Sequence, residues 1–210
     1  MTSRLKINEM QKQTERQFLL NTLEKAPEAS QKAMQWYLDN FEMVPNLAMM
    51  MSNSPALLLS YWQTQLNLLE HSSFSKQEIN IIETIVAHQN KCQYCVAGHT
   101  AFGKNPLFSN TDEQMNAIRN ELEFEDAKLN TLRDFTLSVL EKQGWIDDVE
   151  LETFLLAGYT RIHALDIVAC IAAKVMSNFA NQIALTPVDE AFSPLAQGLP
   201  YQENRQAIAV

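Results

Sequence analysis

The sequence predicts an all-α fold of about eight to ten helices, and three observations carry that prediction. Apolar residues recur at helical spacing along nearly the whole chain, whereas no strand-type alternation persists beyond a few residues. Only five glycines occur in 210 residues, too few for the many tight hairpins of an all-β domain. Several periodic segments also open on a capping signature, a Ser or Thr followed three residues later by Glu or Gln.

Taken in order, "TERQFLLNTLEKAP" reads as a first helix stopped before Pro27, and "EASQKAMQWYLDNF" as a second. Residues 44–52 read as a short turn-rich stretch opened by Pro45. "SPALLLSYWQTQLNLLEHS" carries Pro55 in a first helical turn, where its missing N–H costs nothing. "SKQEINIIETIVAHQ" begins with the capping box of Ser75 and Glu78, and a further helix is expected from Asn90 or Lys91 to Phe102. Thr111 and Gln114 open "TDEQMNAIRNEL", and "EDAKLNTLRDFTLSVLEKQG" ends on Gly144, a residue suited to a helix C′ position. "DDVELETFLLAGY" and "RIHALDIVACIAAKVMSNFANQI" complete the set, with Pro187 after the last. Residues 1–210 are read as a single domain. Its last stretch, 195–210, is expected to be a loose tail or to pack on a partner subunit.

Bulk properties narrow the function. A chain of 23.9 kDa buries roughly 70% of its unfolded surface, so it needs neither disulfides nor a structural metal to be stable. The net charge of -9 and the lack of a basic patch exclude nucleic acid as a partner. The opening "MTSRLKINEMQKQTERQF" has no apolar region of secretory type. "LDIVACIAA", closed by Lys174, is too short to span a bilayer. Neither GxGxxG nor GxxxxGK[ST] occurs, which removes phosphate-binding loops. Three cysteines in this setting read as thiols of a reducing cytoplasm.

The chemistry concentrates in "HQNKCQYCVAGHTAFG". On one helix Cys92 and Cys95 stand at i, i+3, and Cys95 and His99 at i, i+4, so all three share a face. A helix N-terminus favours thiolate over thiol. A second cysteine in disulfide reach and a histidine able to move a proton complete a dithiol redox site. Glu83 and His88, nine and four residues before Cys92, could orient His99 or relay a proton. Other readings stay open. CxxC plus His supplies three zinc ligands, but a fourth from a separate segment is missing. Attachment of c-type haem needs His directly after the second cysteine, where Val96 stands. Two core cysteines near a surface histidine are the remaining alternative, and the same reading makes Glu83 a solvated helix residue. His163 and Asp166 read as an exposed pair, His71 as a helix-end residue, Cys170 as a small core residue, and Met49, Met50 and Met51 as packing.

"NKCQYCVAGHTAFG" resembles the signature of the alkylhydroperoxidase D / carboxymuconolactone decarboxylase superfamily, in its CxxCxxxH peroxidase-like branch. "VPNLAMMMSNSPALLLSYW", "FSKQEINIIETIVAHQN" and "AAKVMSNFANQIALTPVDEAF" are similar to uncharacterised peroxidase-related members. The resemblance covers most of residues 40–192. It implies an all-helical AhpD-like fold, assembly into dimers, trimers or hexamers, and a thiol peroxidase mechanism without metal, haem or other cofactor. It also implies that Cys95 is the peroxidatic thiol, Cys92 the resolving one, and His99 part of a proton relay, with a lipoyl-type dithiol as reductant. The chain departs from the family at two places. The relay glutamate, twelve residues before the first cysteine, is replaced by Asn80, with Glu83 one turn further on. Tyr94 stands between the cysteines, where the best-studied peroxidases have histidine. The decarboxylase branch lacks paired cysteines, so that activity is not expected. The sequence therefore points to a cytosolic dithiol peroxidase acting on organic hydroperoxides, or alternatively to a redox-sensing dithiol protein with little turnover.

Overall fold

The computed structural model of the chain describes residues 18–199. They form nine α-helices and a closing 3₁₀ segment, with no strand among the described residues. The helices are α1 (Glu28–Phe41), α2 (Asn46–Met51), α3 (Pro55–His71), α4 (Lys76–Gln89) and α5 (Gln93–Gly103). There follow α6 (Asp112–Arg119), α7 (Ala127–Glu141), α8 (Asp148–Leu156), α9 (Arg161–Ala184) and the 3₁₀ segment Glu190–Ala196.

Helix α4 is the axis of the fold. Every residue from Ile79 to His88 is buried, so this helix has no solvent face and must be packed on all sides. Helices α3, α5, α6, α7 and α9 surround it. Its start is the capping box read from the sequence: Ser75 Oγ accepts from Glu78 N, and Glu78 Oε2 accepts from Ser75 N. Thr111 and Gln114 make the same reciprocal pair at α6, as do Asp147 and Glu150 at α8.

Three expectations are corrected. The segment 14–27 does not form a helix in its described part: Thr22–Ala26 makes a single turn, and residues 14–17 lie outside the described residues. Phe18, Leu19 and Leu20 stay exposed, so the packing that sustains a short helix is missing. Residues 46–51, read as turn-rich, form α2 because Leu47, Ala48, Met50 and Met51 are buried together. Asp189 Oδ1 accepts from Asn46 N at 3.0 Å and so serves the end of that helix. Helix α5 begins at Gln93 instead of Asn90 or Lys91, because Lys91 adopts φ 56°. Lys91 N donates to His88 O and Cys92 N to Ala87 O, each at 2.9 Å, which closes α4 and leaves Cys92 as the N-cap of α5.

The chain after α9 crosses back over α5. Phe192, Ala196 and Leu199 are buried, and Arg119 donates to the carbonyls of Leu195 and Gln197. Residues 195–199 thus pack on their own chain instead of forming a loose tail; residues 200–210 lie outside the described residues. Helix α9, at 24 residues, is long and apolar enough to cross a membrane by length and composition, unlike the nine-residue stretch noted above. Its inner face is nevertheless polar and buried, with Lys174, Ser177, Asn178 and Asn181 turned to the core.

Phe154 is fully buried and stacks between Phe135 and Tyr159, with ring centroids 4.1 and 4.5 Å apart. Truncation leaves a cavity that this rigid stack cannot close. Phe154→Ala is expected to cost about 3–5 kcal/mol in urea unfolding. Trp145→Ala, at a position 87% exposed, should stay within about 0.5 kcal/mol of the parent.

Candidate dithiol site

Cys92 and Cys95 occupy the N-cap and first turn of α5, and both are buried free thiols. The Cys92 thiol donates to Cys95 sulfur, which makes the pair unequal. Asn181 Nδ2 donates to Cys95 Sγ at 3.3 Å, and Ser177 Oγ lies 3.8 Å from it. Burial pushes the Cys95 thiol up. The hydrogen bond from Cys92, the positive charge of Lys174, and the contacts to Asn181 and Ser177 outweigh burial and bring Cys95 down to about 6. Cys92, which donates a hydrogen bond to that sulfur and is itself buried, is held well above the ordinary thiol range. The site therefore pairs a thiolate at Cys95 with a protonated thiol at Cys92.

His99, one turn beyond Cys95, is fixed from both ring nitrogens. Asn80 Nδ2 donates to Asn110 Oδ1 at 2.8 Å and to His99 O at 3.3 Å, so the Asn80 oxygen is the atom that faces the imidazole. That oxygen accepts from His99 Nδ1 at 2.9 Å. The other nitrogen, Nε2, is left with a lone pair, and Lys174 Nζ is 2.5 Å from it. Burial and the lysine charge hold His99 well below the usual imidazole range, so the ring is neutral. Gly103 allows the close approach of α5 to Asn80, since a Cβ there would come 2.7 Å from Asn80 Nδ2.

Glu83 is buried one turn along α4 from Asn80. Its Oε1 accepts from Gln65 Nε2 at 2.6 Å, and its Oε2 lies 3.7 Å from His99 Nε2 and 3.9 Å from Lys174 Nζ. Burial raises its carboxyl above the usual range, against the opposing effects of Lys174 and Gln65. Lys174 itself is 1% exposed and lies 5.7 Å above the ring of Tyr61.

A cavity of about 100 Å³ opens onto these groups. Trp36, Tyr37, Phe41, Tyr61, Phe102 and Phe192 contribute aromatic wall, and Cys95, His99, Glu83 and Lys174 contribute the polar end. Tyr94, between the cysteines, does not titrate with them. Its hydroxyl donates a short hydrogen bond to Asp189 and accepts from Leu47 N at 3.0 Å, tying the first turn of α5 to α2 and to the returning chain.

Of the residues singled out in the sequence, Cys92, Cys95, His99 and Glu83 come together, and Asn80 joins them. Glu83 is no solvated residue, and His99 is not on the surface. His88 lies apart, 3.9 Å from Glu121. Asp166 accepts from Ser72 Oγ and Ser73 N, and His163 Nδ1 accepts from Thr160 N. Both residues serve structural turns and do not pair with each other as the sequence suggested. Among the described residues no group of three or more His, Cys, Asp or Glu is placed to hold a metal ion. Sequence reasoning missed Lys174, Ser177 and Asn181. Their signal was a polar series at i, i+3 and i+7 on one face of an otherwise apolar helix.

No family model matches the sequence, and no curated protein matches it. The fold does match solved structures. The alkylhydroperoxidase AhpD core of an uncharacterized peroxidase-related protein from Ralstonia eutropha JMP134 has a TM-score of 0.71 at 20% identity, over 84% of this chain and 93% of that one. An uncharacterized peroxidase-related protein from Silicibacter sp. TM1040 has a TM-score of 0.69 at 20% identity, over 80% of this chain and 88% of that one. The chain therefore has the AhpD-core fold that its motif resembled.

The inequality of the two thiols is directly measurable. Only the thiolate reacts with iodoacetamide, so alkylation of Cys95 should rise with pH through about 6 and level off below the ordinary thiol range. Cys92→Ala removes a donor to that thiolate and should move the midpoint up by about one unit, the scale of one charge-assisted hydrogen bond. Peptide mapping of the alkylated protein at each pH checks both outcomes.

Proposed function

We propose that the protein is a dithiol peroxidase-like oxidoreductase that reduces organic hydroperoxides. One observation carries the reading: two buried free cysteines stand together at the N-cap and first turn of α5, with Asn181 donating to Cys95 Sγ, and Cys95 lines the polar end of an aromatic-walled cavity. Cys95 thiolate attacks the terminal peroxide oxygen and becomes a sulfenic acid. Cys92 then condenses with it, giving a disulfide and water. An external dithiol of lipoyl type restores the pair. His99 and Glu83 handle protons beside the sulfur, and no metal or organic cofactor enters the cycle. The names of the matched structures, peroxidase-related proteins of the same fold, support this reading. The cycle needs a reducing supply, which a reducing cytoplasm provides.

Stopped-flow oxidation by cumene hydroperoxide, followed by dimedone trapping, tests the cycle. Cys95→Ser should abolish peroxide consumption. Cys92→Ser should allow one turnover and then accumulate a trappable sulfenic acid at residue 95. Unchanged consumption in Cys95→Ser would falsify the reading.

A second reading, a redox switch, is favoured by the tie from Tyr94 to Asp189 and Leu47. Closing a disulfide in that turn would strain the tie and alter how the returning chain sits. Reversible oxidation with little peroxide turnover would select this reading.

We also infer self-association through the outer face of α9. Ile162, Leu165, Ala169, Ala172, Met176, Phe179 and Ile183 follow an alternating 3–4 spacing, and the large side chains at 162, 165, 179 and 183 are about half or more exposed. With Val168 they leave bare on the order of 600 Å² of apolar surface, near the lower bound of what each partner of a stable dimer buries. A second copy suits this face better than an anionic lipid surface, given the net charge of -9. Sedimentation velocity at micromolar concentration should show a multiple of 23.9 kDa, and Leu165→Glu with Phe179→Glu should reduce it to the monomer.

A further inference from the structure

We propose that Lys174 is a catalytic residue of the dithiol site: its ammonium is the counter-charge of the Cys95 thiolate and the proton donor to the alkoxide that leaves when the peroxide bond breaks. This rests on the peroxidase reading above and reassigns its acid. His99 becomes a positioning residue that aims the ammonium.

The direction of the hydrogen-bond chain carries the argument. It starts at a backbone carbonyl, which can only accept: Gln77 O takes a hydrogen from Asn110 Nδ2 at 3.2 Å. Asn110 Oδ1 must then accept from Asn80 Nδ2, and Asn80 Oδ1 from His99 Nδ1, at 2.8 and 2.9 Å. His99 therefore carries its one proton on the nitrogen facing Asn80, away from the cavity. The nitrogen facing the cavity is an acceptor, filled by Lys174 Nζ at 2.5 Å. In this arrangement the imidazole has no proton to give toward the sulfur.

Lys174 does. Among the described residues that line the cavity it is the one Lys or Arg. It is buried with a neutral imidazole as its hydrogen-bond partner, and its ion pair with Glu83 Oε2 is long, at 3.9 Å, and without a hydrogen bond. A buried ammonium needs a compensating anion. The same face of α9 presents Lys174 together with Ser177 and Asn181, the two residues in contact with Cys95 sulfur. Beside Glu83, the thiolate is the anion that this face meets, and the lysine charge stabilises it.

The cycle balances. Cys95 sulfur bonds to the terminal oxygen of ROOH and the O–O bond breaks. The electron pair leaves on RO⁻, which takes a proton from Lys174 to give ROH, Cys95 sulfenic acid and a neutral amine. Cys92 thiol displaces the hydroxyl, forming the disulfide and releasing water. An external dithiol reduces the disulfide with two electrons and two protons, and the proton on Cys95 returns to Lys174.

The other titratable groups around the site are Glu83, Cys92 and Cys170, together with Tyr37, Tyr61 and Tyr94, whose hydroxyls burial keeps neutral. An experiment should therefore vary the leaving group as well as pH. A peracid leaves as a carboxylate and needs no proton, whereas an alkyl hydroperoxide leaves as a strong base. Single-turnover oxidation is measured with tert-butyl hydroperoxide and with peracetic acid, each rate normalised to the thiolate fraction from the iodoacetamide profile. Lys174→Met should shift the Cys95 alkylation midpoint upward. It should also lose about 100-fold or more against the hydroperoxide, the usual contribution of a general acid, and under about tenfold against the peracid. His99→Gln keeps an acceptor for the ammonium and should lose far less than Lys174→Met. Near-ultraviolet circular dichroism checks the fold of each variant, and His99→Gln decides the assignment if Lys174→Met does not fold. An unshifted midpoint in Lys174→Met, equal losses on both oxidants, or a His99→Gln loss at least as large as that of Lys174→Met overturns the proposal. Wild-type protein inert to both oxidants overturns the peroxidase reading, and this one with it.

Discussion

An ammonium group taken out of water costs several kcal/mol unless neighbours replace its solvation. Lys174, at 1% exposure, has to be met by the groups around it, and most of the site can be understood as that response. His99 turns its lone pair to the ammonium, Tyr61 offers its ring face, Glu83 pairs with it at 3.9 Å, and the lysine charge in turn lowers the Cys95 thiol. None of these is a surface ion pair of the kind that salt screens. All lie between α3, α4, α5 and α9, so the charges are set by the packing of the helices themselves. Removing one of them leaves another buried and uncompensated.

This constraint also explains why the second cysteine of the motif, and not the first, becomes the thiolate. By helix electrostatics alone Cys92 is favoured, since it sits at the N-cap of α5 where the partial positive charge is greatest. That effect is worth at most about 2 kcal/mol in partly buried settings. Against it stand the groups that converge on Cys95: the Cys92 thiol, Asn181, Ser177 and the lysine charge. Three of those four come from α9, some eighty residues away in sequence. The dithiol is a local motif whose polarity is decided by a distant helix.

That division marks what could be read from the sequence and what could not. Capping boxes at Ser75 and Thr111, the proline at position 55 and the long 3.6-residue periodicities are local signals. They located eight of the nine described helices closely. The failures are equally physical. The segment 14–27 carries helical spacing, but its described residues have no partner to bury its leucines. Residues 46–51 look like a turn and are helical only because the core takes their apolar side chains. At the site, Cys92, Cys95, His99 and Glu83 were legible because they share one or two neighbouring helices. Lys174 was not, because a lysine in an apolar helix reads as a solvent-facing break until its partners across the fold are known.

The asparagine at position 80 gains its meaning from the same charge balance. A carboxylate against His99 Nδ1 would draw the imidazole toward its charged form, and the ring could then serve as an acid. An amide oxygen in that place accepts the same hydrogen bond without adding charge, and the ring stays neutral. A neutral ring with its lone pair facing the cavity is the form that can accept from a lysine, whereas an imidazolium would repel it. Asn80 and Lys174 therefore fit each other through His99 although they never touch, while Glu83, its carboxyl raised by burial against the opposing pull of Lys174, stands 3.9 Å from the ammonium. An amide at position 80 is thus compatible with a neutral His99 whose free lone pair meets the Lys174 ammonium.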